Sequence, residues 1–207
     1  VALSRLGLRV GYIGKIGSDE NSKIITSMLK KEGVSFLGKR DSGVSGFSVI
    51  LKSIEDDRSI LAYKGINNDL RFEELFLKKI HAKWFYFSSM MGESFKTLEK
   101  LAIFGEKNNI KITFNPSNYL AEKGALFLRE ILSRTEILIL NKEESELLVG
   151  KGQCDELAKR LMKFGPKTVV VTDGKNGAYT LKNNYLYHVF SASHIKVVET
   201  TGAGDAF

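Results

Sequence analysis

Cysteine, proline and histidine are scarce in this chain: one Cys, two Pro and three His in 207 residues. The lone Cys154 cannot close an intrachain disulfide, which removes the disulfide-stapled class and suits a reducing, cytoplasmic compartment. The three histidines, His81, His188 and His194, lie far apart with no metal-ligand spacing. Gly is 19 without a triplet period, so with so little proline a collagen-like or mucin-like chain is excluded. Asn115-Pro116-Ser117 holds proline at the excluded position of a glycosylation sequon, and no other sequon occurs. No apolar run approaches the roughly 20 residues that span a bilayer, so no membrane partner is expected. At 43% hydrophobic content the chain can bury a core, which excludes disorder as a description of the whole.

Lys and Arg number 31 against 24 Asp and Glu, so the net charge is 31 minus 24, or +7. The positive charge is scattered over Lys30-Lys31, Lys39-Arg40 and Lys78-Lys79, with acids between and no interleaved aromatic platform for bases. It reads as a solvated surface with a mild attraction for small anions, and not as a nucleic-acid face.

Strand and helix signals alternate. Leu8 to Ile13 reads as a strand, and Asp19 as the N-cap of a helix carrying Ile24, Ile25, Met28 and Leu29 on one face and ending at Gly33. Ser45 to Leu51 and Ser59 to Tyr63 predict a hairpin, an insertion beside the main sheet. A short helix to Ile80 and a buried strand from Trp84 to Phe87 follow. Next is a helix with Phe95, Leu98, Leu101 and Ala102 on one face, then a strand at Ile110 to Asn115. A helix around Leu126 to Leu132 and a strand at Glu136 to Leu140 come next. After a short helix bearing Glu144 and Leu147 comes one bearing Leu157, Ala158, Leu161 and Phe164. Lys167 to Thr172 is valine-rich, as in a strand covered on both faces, and a hairpin at 177–190 closes the pattern. The fold expected is α/β, a mostly parallel sheet flanked by helices.

In open α/β sheets ligands bind beyond the carboxyl ends of strands, so motifs following strands weigh most. Thr200-Thr201-Gly202-Ala203-Gly204-Asp205 is the strongest. Its glycines let consecutive amides converge on an anion at a helix start, and Asp205 at that mouth could take a proton from a hydroxyl during phosphoryl transfer. The bland alternative is a tight turn followed by a first-turn helix acid. Thr172-Asp173-Gly174-Lys175-Asn176-Gly177 could line a nucleotide phosphate or ribose, although taken alone it marks a turn. Asn141-Lys142-Glu143-Glu144 follows a strand, and two readings stay open: Glu144 facing a hydrated Mg²⁺ on phosphate, or a capping box in which it serves the cap.

Other features carry little. Gly33 to Lys39 matches the spacing of a phosphate-binding P-loop, but Arg40 stands where that loop needs Ser or Thr, and the segment follows a helix. Gly11, Gly14 and Gly17 lack dinucleotide spacing and read as turn or close packing. Cys154 has no evident histidine partner to make it a nucleophile.

In their order, these segments resemble the ribokinase-like, or PfkB, carbohydrate kinase family. The resemblance rests on Ala2 to Gly7, Gly14 to Asp19, Gly65 to Leu70, Asn141 to Glu144, Thr172 to Gly177 and, most specifically, Thr200 to Asp205. It implies one ribokinase-like domain over 1–207, incomplete at both ends, with a β-hairpin lid at 36–66 that in many members forms the homodimer contact. It implies ATP-dependent phosphorylation of a hydroxyl on a small sugar or nucleoside, with Mg²⁺. Asp205 would be the base and Gly202, Ala203 and Gly204 the anion hole. Asn141, Thr172, Gly174 and Gly177 would hold the nucleotide, and Glu144 would act on Mg²⁺ through its water.

Two departures follow from the same resemblance. Glu199 stands where the family commonly has Asp, which puts activation by K⁺ in doubt. The family's sugar-gripping Gly-Gly-x-x-x-Asn segment is expected before Val1 and its adenine-binding segment after Phe207, so the 207 residues read as a piece of a longer protein and are expected to be inactive in isolation. A non-catalytic ligand-binding relative is the competing class, told apart by thermal stabilisation without ADP release. A nicotinamide-dependent oxidoreductase lacks its glycine fingerprint.

Overall fold

The computed structural model describes residues 1–52, 58–192 and Gly204. The chain divides into two compact units: Val1–His81 with Met90–Thr97, and Ala82–Ser89 with Leu98–Phe207. Among the described residues no helix is long and apolar enough to cross a membrane.

The first unit opens with a helical turn, α1 (Ala2–Arg5), and a short strand, β1 (Val10–Tyr12), inside the predicted Leu8 to Ile13 run. β2 (Lys15–Ile16) leads to α2 (Glu20–Lys31). Asp19 caps α2 as predicted, its carboxylate accepting from the Ser22 amide at 3.3 Å, and Gly33 follows the helix end at φ +68°. The predicted apolar face is only half right: Ile25 and Leu29 are half-buried, but Ile24 and Met28 are 60% and 53% exposed, and the buried residue is Ser22. A period of 3.6 finds a face, but it does not say which side of the face meets a neighbour. Two strands without a sequence signal, β3 (Val34–Phe36) and β4 (Lys39–Arg40), pair in parallel with β1 and β2. The predicted hairpin is present as β5 (Phe47–Lys52) antiparallel to β6 (Arg58–Tyr63), its turn outside the described residues. The expected helix to Ile80 is instead two 3-10 turns, Phe72–Glu74 and Leu77–Lys79.

The second unit holds a six-stranded sheet: β7 (Trp84–Phe87), β8 (Lys111–Phe114), β9 (Ile137–Asn141), β10 (Thr168–Thr172), β11 (Ala178–Lys182) and β12 (Tyr185–Val189). The spatial order is β12-β11-β10-β9-β8-β7, with β7 to β10 parallel and the last hairpin antiparallel. Sequence placed all six within a residue or two. Val169 and Val171 are fully buried, as a strand covered on both faces requires. β7 is an edge strand among the described residues, and Trp84 and Tyr86 are exposed where a buried strand was expected. α3 (Gly92–Lys107) runs from the residues of the first unit into those of the second, and Phe95, Leu98, Leu101 and Ala102 are buried as their spacing predicted. α4 (Ser117–Ala121) and α5 (Arg129–Leu132) follow β8, α6 (Lys142–Val149) follows β9, and α7 (Cys154–Met162) precedes β10. α7 packs on β10 and β11, and α6 packs on both α7 and α4. Phe114, Leu138, Leu140, Leu157 and Leu161 lie at or below 1% exposure between these layers. Burying each such side chain stabilises by about 1.5–3 kcal/mol.

Candidate active site

Because β7 to β10 are parallel, their carboxyl ends share one edge of the sheet, and the segments leaving that edge are brought together by topology. In the β9–β10 ladder Asn141 is the register partner of Thr172. Asn141 and Thr172, thirty-one positions apart in sequence, therefore stand side by side.

Asn141 ends β9 and caps α6. Its Oδ1 accepts from the Glu144 amide at 2.7 Å, and Glu144 Oε2 accepts from the Asn141 amide at 3.0 Å. The capping box that sequence left open against a metal-facing role is thus formed. It uses one carboxylate oxygen; among the described residues the other accepts no hydrogen bond. Glu144 is 8% exposed, and burial pushes its carboxyl above the usual range, against the Asn141 amide that lowers it; Glu143 nearby adds to the rise. A buried carboxyl of this kind gains from an incoming cation. Thr172 directs its Oγ1 toward the Leu140 carbonyl at 3.5 Å, a weak bond that leaves the hydroxyl available.

After Thr172 the chain makes a 3-10 turn, Gly174–Asn176, closed by Asp173 N to Gly177 O at 2.8 Å and Asn176 N to Asp173 O at 2.9 Å. Gly177 sits at φ +94°, and a Cβ there would stand 2.0 Å from the Val189 carbonyl oxygen, so only glycine fits. At Gly174, φ +52°, a Cβ would meet nothing within 4 Å, so this face of the turn is open. The turn is held from behind by β12: His188 Nε2 lies 2.9 Å from Asn176 O, and its ring stacks on Tyr179 with centroids 4.0 Å apart. Cys154 is buried at the start of α7, its thiol pushed up by burial and by the Asp173 carboxylate, as befits an inert thiol.

Gly202, Ala203 and Asp205 lie outside the described residues, as does Glu199; Gly204 is described, helical and exposed. Asn141, Glu144, Thr172, Gly174 and Gly177 are brought to one edge.

The model of the pfkB family carbohydrate kinases matches residues 1–207. The chain belongs to this family. An uncharacterized sugar kinase of Archaeoglobus fulgidus is 32% identical over 213 residues, covering 100% of this chain and 83% of the relative. The adenosine kinase of Sinorhizobium meliloti superposes with a TM-score of 0.88 at 22% identity, covering 99% of this chain and 65% of that one. An E. coli protein assigned as ribokinase II, solved with ATP and Mg²⁺, superposes with a TM-score of 0.84 at 22% identity, covering 99% and 69%. The fold of this pfkB-family chain is therefore ribokinase-like, as its sequence implied.

Two features of this chain escaped sequence reading. Lys15 is only 7% exposed and binds Glu74 at 2.8 Å, Asp41 at 3.1 Å and the Asp69 carbonyl at 3.3 Å, all within the first unit. Burial pulls its ammonium down, but hydrogen bonds and attraction from Glu74 and Asp41 outweigh that and leave its pKa raised. In the same unit, Asp19 accepts from Ser45 Oγ at 2.7 Å and from the Ser45 amide at 3.2 Å, and so ties the entry of the hairpin to the Gly14 to Asp19 segment. Gly17 permits this approach: a Cβ there would stand 2.3 Å from the Gly43 carbonyl oxygen. The Gly-x-x-Gly spacing signalled close packing, but nothing in the sequence marked Lys15. The other missed residue, Ser117, lies in the second unit.

Proposed function

We propose that the protein containing this chain transfers the terminal phosphoryl group of ATP to a hydroxyl of a small sugar or nucleoside, at the carboxyl edge of the six-stranded sheet. The single observation that carries the reading is the register pairing of Asn141 with Thr172. It sets a buried carboxylate and a glycine-faced turn next to each other where an α/β sheet receives its ligand. Family membership supports the reading at the level of sugar or nucleoside kinase.

The donor set suits Mg²⁺ and a triphosphate. Glu144 offers a carboxylate oxygen free of the cap that would hold Mg²⁺ through its water, and Asn141, Thr172, Gly174 and Gly177 offer neutral polar groups, with the backbone open at Gly174. Bound there, Mg²⁺ neutralises charge that develops on the phosphates. Glu144 would hold the ion through its water, Thr172 and the 174–177 turn would hold the nucleotide in register, and Gly202 to Gly204 would supply amides to the migrating group. Asp205 takes the proton of the acceptor hydroxyl. No covalent intermediate with the protein is needed, because positioning and electrostatic stabilisation suffice. By the family resemblance, residues 36–66 are proposed as the lid segment and as the contact between two copies.

The test is Asp205→Asn in the full-length protein, assayed for ADP release across ribose, fructose, fructose phosphate, 2-keto-3-deoxygluconate, adenosine and cytidine. Loss of a general base predicts kcat lower by about 10²–10⁴ with ATP binding retained. Unchanged kcat on the accepted substrate removes Asp205 from the chemistry. ATP binding by the wild type without turnover of any member of the panel favours the non-catalytic relative.

A further inference from the structure

Between β8 and α4 the chain passes through Asn115-Pro116-Ser117, at the same carboxyl edge of the sheet. Ser117 carries two irregularities. Its φ is +52°, the left-handed region that a serine enters at a cost of about 1–3 kcal/mol. Its Oγ is also buried with no hydrogen-bond partner among the described residues, and it is the one side-chain atom so placed there. An unpaired buried hydroxyl costs a further ~1–3 kcal/mol. The local bonding does not need it: the turn is closed by the Ser117 amide donating to Asn115 Oδ1 at 3.2 Å, a bond that any residue but proline could make. Glycine would relieve the backbone and alanine would remove the orphan, so the fold by itself would be at least as stable without this side chain.

The surroundings say what the hydroxyl can meet. Ser117 is the first residue of α4, and α4 packs against α6, the helix that begins with the Asn141–Glu144 box. β8 ends at Phe114, the register partner of Leu138 in the parallel β9, so residues 115–117 leave the sheet at the same edge as the end of β9 at Asn141. Strain and an unsatisfied donor thus coincide at the edge where the phosphates are proposed to lie. We infer that Ser117 donates its hydroxyl hydrogen to a phosphoryl oxygen of the bound donor, as a binding residue alongside Asn141 and Thr172. The inference rests on the kinase reading above and adds to it a residue that no motif marked.

Ser117→Ala and Ser117→Gly in the full-length protein test it, with Mg·ATP and Mg·ADP affinities measured by calorimetry and the melting temperature measured without ligand. A hydrogen bond to a charged oxygen predicts that both variants bind Mg·ATP about tenfold more weakly or worse, while their ligand-free melting temperatures equal or exceed the wild type. Equal weakening of ADP assigns the contact to the inner phosphates; weakening of ATP alone assigns it to the transferred group. Unchanged Mg·ATP affinity in Ser117→Ala, with the wild type binding, overturns the inference and leaves the hydroxyl to an ordered water. A melting temperature lowered in both variants overturns it in favour of a structural role. If the wild type binds no Mg·ATP at all, the kinase reading itself falls and takes Ser117 with it, an outcome distinct from either of the others.

Discussion

Two constellations in this protein each bury an ionisable group near strand ends, and they differ in how they are completed. In the first unit Lys15 is closed by its own neighbours: two carboxylates and a carbonyl take its three protons. In the second unit the groups at the sheet's carboxyl edge are left incomplete. Among the described residues Glu144 has an unused oxygen and a pKa raised by burial, the Thr172 hydroxyl makes only a long bond, and the Ser117 hydroxyl makes none. A polar cluster that satisfies itself holds a fold together, and one that does not awaits a ligand. A control lies at the opposite, amino end of the same sheet. There a groove of about 350 Å³ is lined by Arg134, Glu106, Lys167 and Glu136, and those charges pair off at 2.9 Å each.

The contrast can be broken most forcefully at Glu144. Glu144→Gln keeps the capping box, since Gln also accepts from the cap amide, but removes the charge. We expect kcat to fall about 10- to 100-fold in the full-length enzyme with stronger demand for Mg²⁺, and stability to change by less than about 1 kcal/mol. A fall in stability with unchanged kinetics would make Glu144 a cap and nothing more. The raised carboxyl of the ligand-free protein also predicts an acid limb in the pH profile of kcat/KM, which reports the free enzyme, at higher pH than an ordinary glutamate gives. Activity is lost as pH drops through the raised value, and the limb should vanish in the Gln variant.

Lys15→Met should do the reverse. It strands two acids and removes a buried ion network, for about 2–3 kcal/mol of stability after allowing for the exposure of Asp41 and Glu74. Nucleotide affinity should stay within a factor of two. The hydrogen bond and charge of Lys15 hold Asp41 below its ordinary value. Glu74 is also lowered, burial notwithstanding, by the Arg71 amide and Lys15. Their contribution is therefore present above about pH 4 and lost as the solution is acidified further, while that of Lys15 is lost as pH rises past about 10. Acid and alkaline melts of the wild type and Lys15→Met should converge at both extremes; curves that stay parallel would deny the network its role. The smallest effect is expected at the amino-end control: Arg134→Gln, which breaks partly exposed pairs, should cost at most about 1 kcal/mol and leave both Michaelis constants unchanged.

How much of this was legible beforehand depends on the length scale of the signal. Local patterns did well. The valine run of β10, the apolar clusters of β8 and β9 and the face of α3 needed only their own residues, because period and burial go together inside a layered fold. Asn141, Thr172 and Gly177 were picked out because caps and glycine turns have short signatures. β3 and β4, two or three residues long, escaped because their pairing partners lie more than twenty residues away. The expected helix to Ile80 became 3-10 turns where Glu74, reaching Lys15 and the Arg71 amide, fixes the chain. Ser117 escaped because its oddity is a relation between a backbone angle and an unmet bond.

Sequence alone determined the alternation of strands and helices, the places where the chain must turn, and the short motifs that a phosphate site would use. Hydrophobic period, capping chemistry and the steric freedom of glycine are properties of a few adjacent residues. Tertiary structure alone decided that Asn141 stands beside Thr172, that Lys15 is closed and Glu144 is open, and that one serine hydroxyl is left without a partner. Those facts depend on which distant groups share a buried space, where electrostatic and hydrogen-bond demands are strongest and water cannot meet them.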